Sequence, residues 1–275
     1  MQEAIPFFKM NGCGNDFILI DNRAGRLASD PAKFCRLVCR RRLSVGADGL
    51  ILIESSGDFD FQWQFYNADG SRAEMCGNGA RCAARFAHLQ GIAGEKMVFL
   101  TDAGPIEAQV RGEQVSIKVT PPSDCRMEVE IDLSVGRRTV SSINTGVPHV
   151  VLEADRMAEI DIVPLGREIR RHAHFAPAGT NVNFIQPEDG KRLQVRTYER
   201  GVEDETLACG TGCVAAALVT ALRREWSSPI PVVTRSGGIL TIYFQKDGDR
   251  FCDVYLEGDA RIVYTGEIQP DALQP

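Results

Sequence analysis

The chain has 275 residues, 44% of them hydrophobic and 25% charged, with a net charge of −6 and a pI near 5.4. That balance excludes a disordered chain and a collagen-like repeat, and the acidic excess excludes a nucleic-acid footprint, which Arg40–Arg42 are too few to restore. The longest nearly apolar stretch, Val214 to Leu222, is about half of the ~20 residues a bilayer span needs, so no membrane partner is expected. Met1–Met10 carries Glu3 and Lys9 and no apolar segment of the secretory kind, so a cytoplasmic location is expected.

The first predicted strand is Asp16–Asp21. A helix follows with Asp30 as N-cap and Pro31 at its first position, where proline's missing N–H is not needed. Phe34, Leu37, Val38 and Leu43 are expected on its apolar side. Strands are predicted at Leu50–Glu54 and Asp60–Asn67, then a helix from just after Cys76 to Gln90, stopped by Gly91. Strands at Lys96–Thr101, Ile106–Val110 and Val115–Val119 come next, and Pro121-Pro122 interrupts the pairing. In the second half a helix is predicted from Cys213 to about Arg224, apolar nearly all round and therefore central. Lys246-Asp247-Gly248-Asp249 reads as a hairpin turn.

The chain repeats itself. Phe65-Tyr66-Asn67-Ala68-Asp69-Gly70 leading to Cys76-Gly77-Asn78-Gly79 matches Thr197-Tyr198-Glu199-Arg200-Gly201 leading to Cys209-Gly210-Thr211-Gly212. The two cysteines stand 133 residues apart. Pro31 and Pro164, each expected at a helix start, keep that offset, as do Gly46 and Gly179 before apolar strands. Gly104 and Gly238 differ by 134, and Phe17 and His149 by 132. Coincidences in this order along the chain point to two homologous halves, not to a short-period solenoid.

Nine cysteines and no C-x-x-C argue against a disulfide framework and against a zinc site. His172-Ala173-His174 is a weak metal hint only. Most of the thiols, Cys35 and Cys39 among them, are expected as small buried hydrophobes. Cys76 and Cys209 differ, because each precedes Gly-x-Gly and a helix. The free N–H groups and the dipole of a helix start favour an anion, and a thiol there can ionise below its free value of about 8.5. The adjoining glycines let backbone donors of Gly77-Asn78 and Gly210-Thr211 approach a carboxylate. Two such thiols on opposite faces of one carbon are what stereoinversion requires.

Lys9-Met10-Asn11-Gly12-Cys13-Gly14-Asn15-Asp16-Phe17, Asn67-Ala68-Asp69-Gly70-Ser71, Cys76-Gly77-Asn78-Gly79-Ala80-Arg81, Pro148-His149 and Tyr198-Glu199-Arg200-Gly201 with Cys209-Gly210-Thr211-Gly212 together resemble the diaminopimelate epimerase family. The resemblance implies cofactor-independent interconversion of LL- and meso-diaminopimelate in lysine and peptidoglycan precursor synthesis. Cys76 and Cys209 would be its two acid/base residues. Asn15, Asn67, Asn181, Glu199 and Arg200 would bind the substrate, mostly at its distal end, and Gly77, Asn78, Gly210 and Thr211 would hold the carboxylate at the reacting centre. His149 and Glu199 would tune the thiols. Val147 and Gly49 stand where many members have an asparagine and a glutamine that contact the ligand.

The fold class expected is α+β: two pseudo-symmetric domains from an internal duplication, each a mixed sheet or barrel around a central helix, with the active site in the cleft between them. Pro121-Pro122 is the expected boundary between the halves, and the family fold implies that the C-terminal strand returns to the first, so residues 1–121 and 262–275 are expected in the first domain and 122–261 in the second. A homodimer, no metal and no cofactor are implied in the same way. Two other readings stay open at this stage: a related proline racemase-like isomerase, and a non-catalytic thiol redox switch formed by Cys76 and Cys209.

Overall fold

The structure is a computed structural model that describes residues 4–27, 29–248 and 250–274. The chain divides into two compact units, Met1–Ile117 with Gly258–Pro275, and Lys118–Glu257. Both crossings lie four residues before the expected limits, near the ends of β-strands and not at Pro121-Pro122.

In the first unit, β1 (Ile5–Gly12), β2 (Asn15–Asp21), α1 (Pro31–Val38), β3 (Gly49–Glu54), β4 (Phe61–Asn67), α2 (Gly77–Leu89), β5 (Lys96–Thr101), β6 (Gly104–Arg111) and β7 (Gln114–Lys118) follow in order. Asp30 caps α1 through a 2.9 Å bond from the Lys33 amide, with Pro31 at the first position. The helix stops at Val38, earlier than the apolar pattern suggests. Gly46 N donates back to Val38 O at 3.0 Å, and Leu43, in the turn between them, is 70% exposed. α2 packs on β1, β2, β3 and β6 and buries Ala80, Ala83, Ala84, Phe86 and Ala87.

The second unit runs β8 (Ser123–Leu133), β9 (Gly136–Asn144), β10 (Pro148–Glu153), α3 (Ile162–Arg170), β11 (Asn181–Glu188), β12 (Arg192–Glu199), β13 (Asp204–Thr206), α4 (Gly210–Arg224), β14 (Ile230–Val233), β15 (Ile239–Asp247) and β16 (Arg250–Asp259). Pro164 lies in the first turn of α3, as its third residue; a proline is tolerated there because the N–H groups of a first turn have no intrahelical acceptor. α4 begins at Gly210, three residues before the predicted start, because Cys209 O already accepts from Cys213 N at 2.9 Å. Its Cys213–Val219 run is buried on every side, as a central helix requires. β15 extends to Asp247, which pairs with Arg250 of β16, and Gly248 of the predicted hairpin turn has φ +60°; Asp249 lies outside the described residues.

The last strand, β17 (Arg261–Ile268), returns to the first unit and pairs antiparallel with β1. The units then repeat one pattern. β1–β2, β3–β4 and β5–β6 are antiparallel while β2–β3 and β4–β5 are parallel. β9–β10, β11–β12 and β14–β15 are likewise antiparallel, with β10–β11 and β12–β14 parallel. Even the register is retained. Phe17 sits beside Gly49 as His149 sits beside Asn181, and Ile51 faces Phe65 as Asn183 faces Thr197. Among the described residues no helix is long and apolar enough to cross a membrane.

Candidate active site

Cys76 is the N-cap of α2 and Cys209 the N-cap of α4. Both are extended, with φ −146° and −118°, and neither caps the helix with its side chain. Each cysteine carbonyl accepts the first helical bond, from Ala80 N at 2.8 Å and from Cys213 N at 2.9 Å. The amides between, of Gly77, Asn78 and Gly79 and of Gly210, Thr211 and Gly212, are first-turn donors without an intrahelical acceptor. Local sequence therefore builds the same anion-binding turn twice, with a thiol at its entrance.

In the first unit, three substrate-binding candidates join one network. Asn78 Nδ2 donates to Asn15 Oδ1 at 2.5 Å, and Asn15 Nδ2 donates to Asp48 at 3.2 Å. Behind Asn78, the fully buried Arg81 donates to its Oδ1 at 2.9 Å and to Asp259 O and Gly77 O at 3.3 Å each. Asp48 also accepts from Arg41, and its carbonyl accepts from Ala68 N at 3.0 Å, which ties the Asn67 loop to Asn15. Asn67 itself is exposed and bonds to Ser71 Oγ at 3.0 Å within that loop. Asp16 lies between Lys9, at 2.7 Å, and Arg41, at 2.7 Å. Burial raises its carboxyl, but hydrogen bonds from Arg41 and Lys9 outweigh that and bring it down to about 2. Sequence reading gives neither Arg81, quoted only as part of the Cys76–Arg81 motif, nor Asp48 a role in the site; the signal for Arg81 is a basic residue on the inner face of an otherwise apolar helix.

In the second unit, Asn181 Oδ1 accepts from Arg200 N at 2.8 Å and Asn181 Nδ2 donates to Pro148 O at 3.2 Å. Arg200 extends its guanidinium to Ala178 O at 3.2 Å. Burial raises the Glu199 carboxyl above its ordinary value. Thr211 Oγ1 is 3.6 Å from Cys209 Sγ, and Thr211 O accepts from Thr145 Oγ1 at 3.0 Å. His149 is buried, and burial followed by the charge of Arg200 brings its pKa down to about 3. Its Nδ1 is 3.1 Å from Asn183 Nδ2, a buried partner that sequence reading missed.

None of the nine cysteines, all of them among the described residues, forms a disulfide. Cys13, Cys35, Cys39, Cys82 and Cys213 are buried, and burial pushes Cys13 up to about 11 and Cys82 up to about 12, as expected of inert core thiols. Cys35 and Cys39 lie 3.7 Å apart, sulfur to sulfur, while Cys125 and Cys252 are exposed. Cys209 is buried and Cys76 half-buried. His172 Nδ1 accepts from His174 N at 3.2 Å, and no group of three or more His, Cys, Asp or Glu among the described residues is placed to hold a metal ion.

Solved structures with this fold include a phenazine biosynthesis protein of the PhzF family from Bacillus anthracis, with a TM-score of 0.75 at 16% identity over 97% of this chain and 99% of that one. Another is a probable proline racemase from Agrobacterium radiobacter K84, with a TM-score of 0.68 at 16% identity over 98% and 94% of the two chains. Sequence relatives are much nearer. The diaminopimelate epimerase of Aquifex aeolicus is 46% identical over 98% of this chain and all of its own length. That of Chlorobaculum tepidum is 45% identical over 94% of this chain and 99% of its own. The sequence profile of the family described as diaminopimelate epimerase matches residues 7–123 and 141–263, one stretch in each half. The chain belongs to the diaminopimelate epimerase family.

Proposed function

We propose that the protein interconverts LL- and meso-diaminopimelate by removing the α-proton with one thiolate and returning a different proton from a second thiol, with neither metal nor pyridoxal phosphate. One of Cys76 and Cys209 enters the cycle as thiolate and takes the α-proton; the other, as thiol, delivers a proton to the opposite face. The electron pair left on carbon spreads into the substrate carboxylate, which the first-turn amides of Gly77, Asn78, Gly210 and Thr211 would hold. Turnover leaves the two thiols with exchanged protonation states, ready for the reverse reaction.

Asn15, Asn67, Asn181, Glu199 and Arg200 would bind the distal amino-acid end of the substrate, and His149 and Glu199 would set the balance of the two thiols. In this reading the protein is a cytoplasmic homodimer that serves lysine and peptidoglycan precursor synthesis. The observation that supports it most is a cysteine N-cap at the head of each unit's central helix, in a member of this family. The test is incubation of reduced, dialysed protein with pure LL-diaminopimelate without added pyridoxal phosphate. Accumulation of the meso isomer is expected. No turnover, or turnover only with a metal or pyridoxal phosphate, would overturn the reading.

A further inference from the structure

The retained register shows where the two copies have diverged most. In the first unit, Phe17, Ile51 and Phe65 occupy neighbouring register positions on β2, β3 and β4, all buried and apolar. A methyl group on Gly79 would meet Ile51 Cδ1 at 3.1 Å, Cys76 Cβ at 3.6 Å and Phe17 Cζ at 3.7 Å, so Ile51 and Phe17 floor the turn, with the Phe65 ring packed edge-on against Phe17 at 5.9 Å between centroids. The matching residues in the second unit are His149, Asn183 and Thr197, equally buried and all polar. There a methyl group on Gly212 would meet Asn183 Oδ1 at 2.2 Å and Cys209 Sγ at 3.2 Å. The first unit shows that an apolar trio fills this site, so packing alone does not account for three buried polar groups, which are costly wherever they are not fully hydrogen-bonded.

Their hydrogen bonds determine one another. Asn183 Nδ2 donates to Val150 O at 3.0 Å; a carbonyl only accepts, so the amide nitrogen must lie on that side. Asn183 Oδ1, on the other side, accepts from Thr197 Oγ1 at 2.9 Å. The second hydrogen of Nδ2 then points to His149 Nδ1 at 3.1 Å, which must be the acceptor. A neutral ring accepting at Nδ1 carries its proton on Nε2. That Nε2 is buried and has no hydrogen-bond partner among the described residues.

We infer that Asn183, backed by Thr197, is a positioning residue that holds His149 as a neutral Nε2–H donor in the floor of the Cys209 turn, and so makes the two thiols of the duplicated turn chemically unequal. His149 is then a fixed dipole and not a proton carrier. This rests on the two-thiol reading, because it assigns to one half of that machinery a device the other half lacks.

The test reads the ring directly. Nitrogen-15-labelled histidine in the reduced full-length protein gives distinct signals for the two neutral tautomers and for the cation, and the His149→Phe variant assigns its signal among the four histidines. The expected result is a single Nε2–H form that does not titrate from about pH 5.5 to 9, where an ordinary histidine does. Asn183→Asp, which puts an acceptor in place of the amide, should move the proton onto Nδ1. An Nδ1–H form or an ordinary titration in the unsubstituted protein would overturn the inference, as would an unchanged tautomer in folded Asn183→Asp. The measurement needs no turnover, so its failure would leave the epimerase assay untouched, and failure of that assay would leave the tautomer standing.

Discussion

Asn78 and Asn15 are joined amide to amide at 2.5 Å, which fastens the first turn of α2 to the start of β2. The bond has a direction: Arg81 donates to Asn78 Oδ1, so Asn78 Nδ2 must face Asn15 Oδ1, and Asn15 Nδ2 is left to meet Asp48. A buried cation thus sets, through the Asn78 side chain, the orientation of the Asn15 amide that the proposed mechanism uses.

Asn78→Ala removes the middle of that chain and leaves the buried guanidinium short of an acceptor. We expect a loss of about 1–3 kcal/mol in folding stability, the usual effect of leaving a buried polar group unpaired. A fall in kcat/KM should accompany it. Urea unfolding alongside steady-state kinetics checks both, and an unchanged urea midpoint would show that Arg81 is satisfied without Asn78.

The two glycines that pack on the floors of the cysteine turns should respond differently to one methyl group. In Gly79→Ala the new Cβ meets the end of a flexible side chain, Ile51 Cδ1, at 3.1 Å, and a small shift accommodates it. In Gly212→Ala it meets Asn183 Oδ1 at 2.2 Å, an atom held by a buried network. Overpacking of this kind costs about 1–3 kcal/mol. Gly212→Ala should therefore show the larger drops in Tm and in kcat; equal effects would contradict the difference between the floors.

Cys76→Ala and Cys209→Ala should each abolish epimerisation with the far-ultraviolet circular dichroism unchanged, since each removes one sulfur from a turn and not from the middle of a core. In D2O, the unsubstituted enzyme starting from one isomer should place deuterium in the inverted product much faster than in recovered substrate. Substantial residual epimerisation in either alanine variant would mean that a single base performs both transfers.

The depressed His149 predicts a pH dependence of stability. Its pKa falls from an ordinary 6.5 to about 3 in the folded chain, so between those values the unfolded state binds the proton and the folded state does not. Stability from this group is complete above about pH 6.5 and declines as the pH falls toward 3. Asp16, brought down to about 2, adds a further loss below its ordinary value of 3.8. Urea midpoints at a series of pH values should slope in the upper window for the parent protein, and the slope should flatten in His149→Phe. An equal slope in the two proteins would rule out His149 as its source.

What the sequence determined by itself is what a few neighbouring residues decide. The Asp30–Pro31 cap, the Cys-Gly-x-Gly helix starts and the β5 limits follow from local backbone requirements, and the duplication is visible because matching turns recur at matching spacing. The two thiols were legible for that reason. Tertiary structure alone decided which residues lie under those turns. His149, Asn183 and Thr197 sit on three strands, β10, β11 and β12, and become neighbours only through the parallel and antiparallel registers that join them. Arg81 could be recognised as the anchor of Asn78 only once Asp259, 178 residues away, came to face it. Leu43 could be recognised as exposed only once α1 had ended at Val38. Non-local strand pairing is where the free energy of burial is gained, and periodicity along one segment carries no record of what will be paired beside it.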